Sequence, residues 1–107
     1  MKAPKSSATP KASTCAERLK VLADETRLAV VRQLMDQERH VGDLQAALGI
    51  EQSLLSHHLR SLREAGIVES QRDGKAMLYR LSPELERGKN GTVDLGCCRI
   101  SFAPDSE

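Results

Sequence analysis

Between Val41 and Gly66 the chain reads VGDLQAALGIEQSLLSHHLRSLREAG, and this stretch constrains the fold more than any other. It holds two apolar stripes separated by a glycine. Val41, Leu44 and Leu48 recur at i, i+3, i+7, one face of a helix. Gly49 ends that helix, because glycine enters the left-handed region without the clash a Cβ brings. Ile50 then packs under the turn. A second helix is predicted from Gln52 to Ala65, closed by Gly66, with Leu55, His58, Leu59 and Leu62 on its inner face. Two short amphipathic helices joined by a tight glycine turn form a helix-turn-helix.

The second helix carries another row at the same spacing: Ser53, Ser56, His57 and Arg60. These short donors and acceptors, with one cation, match the groups that base edges present in a major groove. A solvated surface is the plainer reading of such a row; the tight turn before the helix favours the DNA reading. The next segment, IVESQRDGKAMLYRL, alternates like strands, with Val68, Ser70, Met77, Tyr79 and Leu81 marking the period. Asp73-Gly74 is a hairpin turn signal. Arg72 and Lys75 stand at its tip, where a cation can hold a phosphate or reach a minor groove. Upstream, Cys15 to Leu22 is a short helix with Leu19 and Leu22 inward. Asp24 caps the next helix, DETRLAVVRQLM, whose inner stripe is Leu28, Val31 and Met35. Gln37 to His40 is a polar link. The fold class expected is mainly α with a β-hairpin wing: a winged helix-turn-helix.

A single core within 107 residues is only marginally stable, so a dimer is expected. Net charge is +1, so the whole chain is not a basic magnet for nucleic acid, but Arg60, Arg63, Arg72, Lys75 and Arg80 crowd into one third of it. With no Trp, one Tyr and one Phe, stacking on unpaired bases is disfavoured and the nucleic-acid partner expected is a duplex. There is no apolar run long enough to span a bilayer, so no membrane partner is expected. The opening MKAPKSSATPKAST has no apolar core of a secretory signal; residues 1–14 read as a disordered arm, and the chain as cytoplasmic with reduced thiols.

From Leu22 to Leu81 the sequence resembles the ArsR/SmtB family of winged helix-turn-helix repressors. LADETRL is similar to that family's LADPTRL, LGIEQSLLSHHLRSLREAGIV to its LGLSQSxVSHHLxxLxxAGLV core, and RDGKAMLYRL to its wing. The resemblance implies a homodimer on an inverted-repeat operator, repressing transcription until an inducer binds. It implies that Gln52, Ser53, Ser56 and His57 contact bases or phosphates, that Arg60 touches the backbone, and that Arg72 and Lys75 serve the wing. His58 matches the family's inward histidine and is expected to be a packed, hydrogen-bonded structural residue. The layout expected is an arm over 1–14, the DNA-binding domain over 15–82, and an irregular tail over 83–107.

Two sensing patterns of that family are missing. Its arsenic pattern ELCVCDL aligns with ERHVGDL, so His40 and Gly42 replace the two cysteines, and His40 is expected to be a solvated loop residue. Its zinc pattern needs a long C-terminal helix. Here Ser82-Pro83-Glu84 starts a helical turn and GKNG at 88–91 stops it, leaving more of the dimer contact to the first helix and the tail.

Three thiols remain: Cys15, Cys97 and Cys98, an odd number that argues against a closed disulfide framework. Thiolates select soft ions, and trivalent arsenic takes three sulfurs. Adjacent Cys97 and Cys98 supply two, and Cys15 the third if the first helix meets the tail, as the family fold implies. Some arsenic-responsive relatives carry adjacent cysteines near the C-terminus, so the expected inducer is As(III). Arg99 beside the pair is expected to favour thiolate. Other readings stay open: Cd(II) or Pb(II) on the same thiols, oxidation of Cys15 against Cys97 or Cys98, three inert thiols, or a winged-helix protein-interaction module without DNA binding. An enzyme is not expected, since there is no C-x-x-C at a helix start and no Gly-rich phosphate loop.

Overall fold

The computed structural model describes residues 15–87 and 91–102. The arm over 1–14 and most of the GKNG break lie outside them. In chain order the elements are α1 (Cys15–Leu22), α2 (Glu25–Asp36), β1 (Arg39–His40), α3 (Val41–Leu48), α4 (Gln52–Glu64), β2 (Val68–Asp73), β3 (Ala76–Leu81), β4 (Glu86–Arg87), β5 (Thr92–Asp94) and β6 (Arg99–Ser101). The strands form two antiparallel sheets, ordered β1-β3-β2 and β4-β5-β6. This is a winged helix, as expected.

The core is built where the apolar stripes of α2, α3 and α4 converge. Leu34, Leu44, Leu55, Leu59, Leu62 and Ile67 are fully buried there, each contributing about 1.5–3 kcal/mol of transfer free energy. Gly49 ends α3 at φ 66°, ψ 34°, its N–H donating to the Gln45 carbonyl. Asp24 caps α2, accepting from the Arg27 N–H at 3.0 Å. The wing hairpin leaves α4 through Gly66 and is sealed at its base by Ser82 N–H donating to the Ile67 carbonyl at 2.9 Å.

Several expectations are corrected. In α2 the buried residues are Val30, Val31 and Leu34, with Leu28 and Met35 only half-buried. The helix presents its Val30–Leu34 edge because it packs on α3, α4 and the wing at once. Leu19 is 43% exposed, since Arg18 takes the inward-facing place on α1. The polar link contains strand β1, which pairs Arg39 with Tyr79 and His40 with Leu78 on the free edge of β3. The wing turns one residue later than expected: Asp73 pairs with Ala76, so Gly74 and Lys75 are the turn residues, with Gly74 at φ 66°.

Within the tail expected to be irregular over 83–107, the described residues 83–87 and 91–102 hold short strands. After a turn in which Leu85 N–H donates to the Ser82 carbonyl, strands β4, β5 and β6 form a small sheet. Its apolar period is two: Val93 and Leu95 are buried, and Ile100 and Phe102 pack partly against the same core. Leu95 N–H donates to the Cys98 carbonyl at 2.8 Å, making the β5–β6 connection a tight turn with Gly96 at φ 99°. The adjacent cysteines stand on that turn.

Candidate DNA interface and thiol site

One surface is made by α4 and the wing. Gln52, Ser53, Ser56, His57 and Arg60 are all exposed on α4, opposite the buried face of Leu55, His58, Leu59 and Leu62. Period 3.6 alone separates the two faces. Leu54 is also exposed beside them, at 44%. Ser53 donates to Glu51 at 3.2 Å, and Arg60 pairs with Glu64 at 3.4 Å, an open i, i+4 pair worth little against a phosphate. Arg72 and Lys75 are exposed at the wing tip, and among the described residues no carboxylate pairs with either. Arg80 differs: it is held by Glu69 at 2.8 Å, Glu38 at 3.1 Å and Gln71 at 2.6 Å, so its charge is spent within the wing.

Two contacts that sequence reasoning missed steady this surface. Arg27 of α2 donates from Nε to His58 Nδ1 at 3.0 Å and from Nη1 to the Val21 carbonyl at 3.2 Å. A guanidinium only donates, so Nδ1 of His58 carries the lone pair and the ring is neutral in this bond. Burial pushes the His58 pKa down, and the nearby Arg27 and His57 push the same way. His58 is therefore the inward brace expected of it. His40, expected in a solvated loop, instead bonds Asp73 at 2.8 Å and ties β1 to the wing tip. That hydrogen bond, with Asp43 nearby, holds the His40 pKa above its ordinary value.

The other site is where α1 meets the β5–β6 turn. Cys15 and Cys97 are joined through their sulfurs, with Cα atoms 6.1 Å apart. Cys98 is a free thiol, its Sγ 3.8 Å from both Cys15 Sγ and Cys97 Sγ. All three sulfurs lie within 4.8 Å of one another, with Cys97 exposed and the other two half-buried. Thiolates about 2.3 Å from a tetrahedral zinc stand ~3.8 Å apart, so the two Cys98 edges already have the span of sulfurs sharing one ion. With Cys15 and Cys97 bonded the set offers one thiol, and only on reduction does it offer three sulfur donors of the kind that suits soft ions. Arg99, expected to favour thiolate, pairs instead with Asp94 at 3.6 Å, while Asp94 also accepts the Gly96 N–H at 2.7 Å.

Arg18, unnoticed in the sequence, lies between the two sites. It donates to the Leu95 carbonyl at 3.1 Å and the Ala65 carbonyl at 3.4 Å, and it pairs with Glu84 at 3.1 Å. Nothing in the local sequence marks it, since its partners lie 47 to 77 residues away.

Residues 24–70 match the family model described as "Bacterial regulatory protein, arsR family". The chain is 44% identical over 66 residues to the HTH-type transcriptional repressor SmtB of Mycobacterium tuberculosis, a match covering 62% of this chain and 49% of that protein. It therefore spans about half the length of that relative. A solved structure titled "Possible transcriptional regulator for arsenical resistance" superposes with TM-score 0.61 at 40% identity, over 64% of this chain and 71% of that one. The homodimeric winged helix-turn-helix DNA-binding domain Mb0332 of Mycobacterium bovis, a possible ArsR-family regulator, superposes with TM-score 0.62 at 33% identity, over 64% of each chain. Of these relatives, SmtB is named as a transcriptional repressor and the other two as possible transcriptional regulators.

Proposed function

The chain belongs to the ArsR family of bacterial regulatory proteins, and on that premise we propose that it is a DNA-binding transcriptional repressor released by a thiol-binding inducer, As(III). The observation that carries this reading is the convergence of Cys15, Cys97 and Cys98 from opposite ends of the chain within 4.8 Å. Repression follows SmtB, arsenic follows the structure titled for arsenical resistance, and the homodimer follows Mb0332.

In this reading the reduced homodimer sets two α4 helices one turn of DNA apart, roughly 34–36 Å, on an inverted repeat. Gln52, Ser53, Ser56 and His57 meet bases and phosphates. Arg60 meets the backbone, and Arg72 and Lys75 meet phosphate or minor groove at the wing. Acting on DNA places the protein in the cytoplasm. Arsenite bound by the thiols favours a dimer geometry that spoils the spacing, shifting the equilibrium by its differential affinity for the two geometries.

The test is fluorescence anisotropy of the reduced protein on an inverted repeat from its own promoter, titrated with arsenite. Wild type is expected to bind and then release; Cys97→Ser and Cys98→Ser are expected to bind equally and stay bound. Serine variants that release normally place the sensing site elsewhere.

A second reading is favoured by the joined Cys15 and Cys97: the switch is thiol oxidation. Two thiols lose two electrons and two protons to a peroxide-class oxidant, and the bond ties α1 to the tail. Release by peroxide without arsenite, abolished in Cys15→Ser, selects this reading.

A further inference from the structure

We propose that Arg18 is the positioning residue that carries occupancy of the thiol site to the recognition helix, an inference that rests on the sensor reading above. Arg18 stands one turn after Cys15 on α1 and points the same way. Its guanidinium joins three pieces of the chain. Nη1 donates to the carbonyl of Leu95, the residue whose N–H closes the cysteine-bearing turn on Cys98. Nε donates to the carbonyl of Ala65, the residue that ends α4. Nη2 pairs with Glu84 in the turn between wing and tail. The side chain is 11% exposed while Glu84 is 64% exposed, so the guanidinium is buried by its backbone partners and not by its salt bridge.

Elsewhere α1 and α4 leave a hollow of about 330 Å³ between Lys20 and Val21 on one side and Ser61 and Glu64 on the other. Arg18 supplies a polar tie between α1 and the end of α4 beside that hollow. A planar fork with fixed donors transmits position better than a flexible ammonium does. A dithiol-class reductant first gives two electrons and two protons to the Cys15–Cys97 bond and is itself oxidised to a disulfide; the three thiols then replace the three hydroxyls of arsenous acid, forming three As–S bonds, breaking three As–O bonds and releasing three waters. No electrons are exchanged in that second step. Drawing Cys15 and the Cys97–Cys98 turn onto one atom moves the Leu95 carbonyl relative to α1, and Arg18 holds that carbonyl and the end of α4 together. A helix of 13 residues is a lever ~20 Å long, so a tilt of ~5° at Ala65 displaces the Gln52 end by ~1.7 Å.

The experiment compares wild type, Arg18→Gln and Arg18→Lys, each reduced and then freed of reductant, measuring the thiols that arsenite protects from a chromogenic thiol reagent and the operator Kd with and without arsenite. Wild type is expected to show a weakening in the ordinary allosteric range, about 5–150-fold. Arg18→Gln is expected to protect the same three thiols and bind operator without arsenite nearly as wild type does, yet to weaken less than about twofold on adding it. Arg18→Lys, which keeps the charge but not the fork, is expected to fall between. A merely structural Arg18 lowers melting temperature and leaves the arsenite ratio alone; that result overturns the proposal, as does release of Arg18→Gln by the wild-type factor. If Arg18→Gln does not fold, Arg18→Lys and Glu84→Gln decide, and unchanged ratios in both overturn it. A wild type that ignores arsenite sinks the sensor reading itself, a different result from a responsive wild type with a responsive Arg18→Gln.

Discussion

His58 shows how one side chain can serve packing and polarity together. It occupies a leucine position on α4, yet its Nδ1 needs a donor, and Arg27 supplies it from α2. Because burial lowers the folded-state pKa, the unfolded chain binds the extra proton first as pH falls. The stabilisation is therefore full above the unfolded value near 6.5 and is lost as pH drops through it, by no more than about 1.4 kcal/mol per pH unit for one proton. His40 works in the opposite sense: its raised pKa gives a contribution present below about 6.5 and lost as pH climbs through the folded value. The two partly cancel in wild type, so the comparison must isolate one. Urea midpoints of wild type and His58→Gln measured at pH 7.5 and 5.5 are expected to converge toward the acid side. A constant gap between them removes His58 as the titrating brace. The inward place of His58 was readable from its stripe, whereas Arg27 as partner was not, because 31 residues separate them.

At the scale of elements, the turn between α3 and α4 decides where the exposed face of α4, proposed to read DNA, points. Gly49 sits at φ 66° with open space where a Cβ would stand. Gly49→Ala therefore meets no clash with other residues and costs only the left-handed conformation, about 1–2 kcal/mol. Thermal melting is expected to fall by several degrees, with operator affinity at 20 °C nearly unchanged; a large loss of affinity in a well-folded variant shows instead that the alanine re-aims α4. The helices were legible because each runs two or more turns, long enough for its period to show. The tail strands were not: Val93 with Leu95, and Ile100 with Phe102, each give a single alternation. β1 was equally hidden, since two residues have no pattern and exist as a strand only against β3.

On the scale of the whole molecule, the two chemistries proposed for the one cysteine cluster exclude each other. The bond between Cys15 and Cys97 leaves Cys98 as the one remaining thiol, so an oxidised chain cannot offer three sulfurs. Diamide-treated protein is expected to take up no arsenite in equilibrium dialysis, and reduction with dithiothreitol to restore about one per chain. Uptake by the oxidised form at the same level removes the three-thiol site. The match to the family model begins at residue 24 and ends at 70, so it spans α2 to α4 and the start of β2, and neither the wing tip nor any of the three cysteines. The α4–wing surface and the thiol site are in this sense separate parts joined through α1.

The sequence by itself determined the helix-turn-helix, the wing and the two faces of α4, because periodicity and turn chemistry act over a few neighbours. It named the three cysteines but not their distances. Only the tertiary structure decided that residues 15, 97 and 98 meet, that Arg99 turns to Asp94, and that Arg18 reaches both Leu95 and Ala65. Each of those facts except the Arg99 pairing spans more than forty residues of chain. Long-range contacts leave no local period, and they exist only once the core has brought the distant segments together.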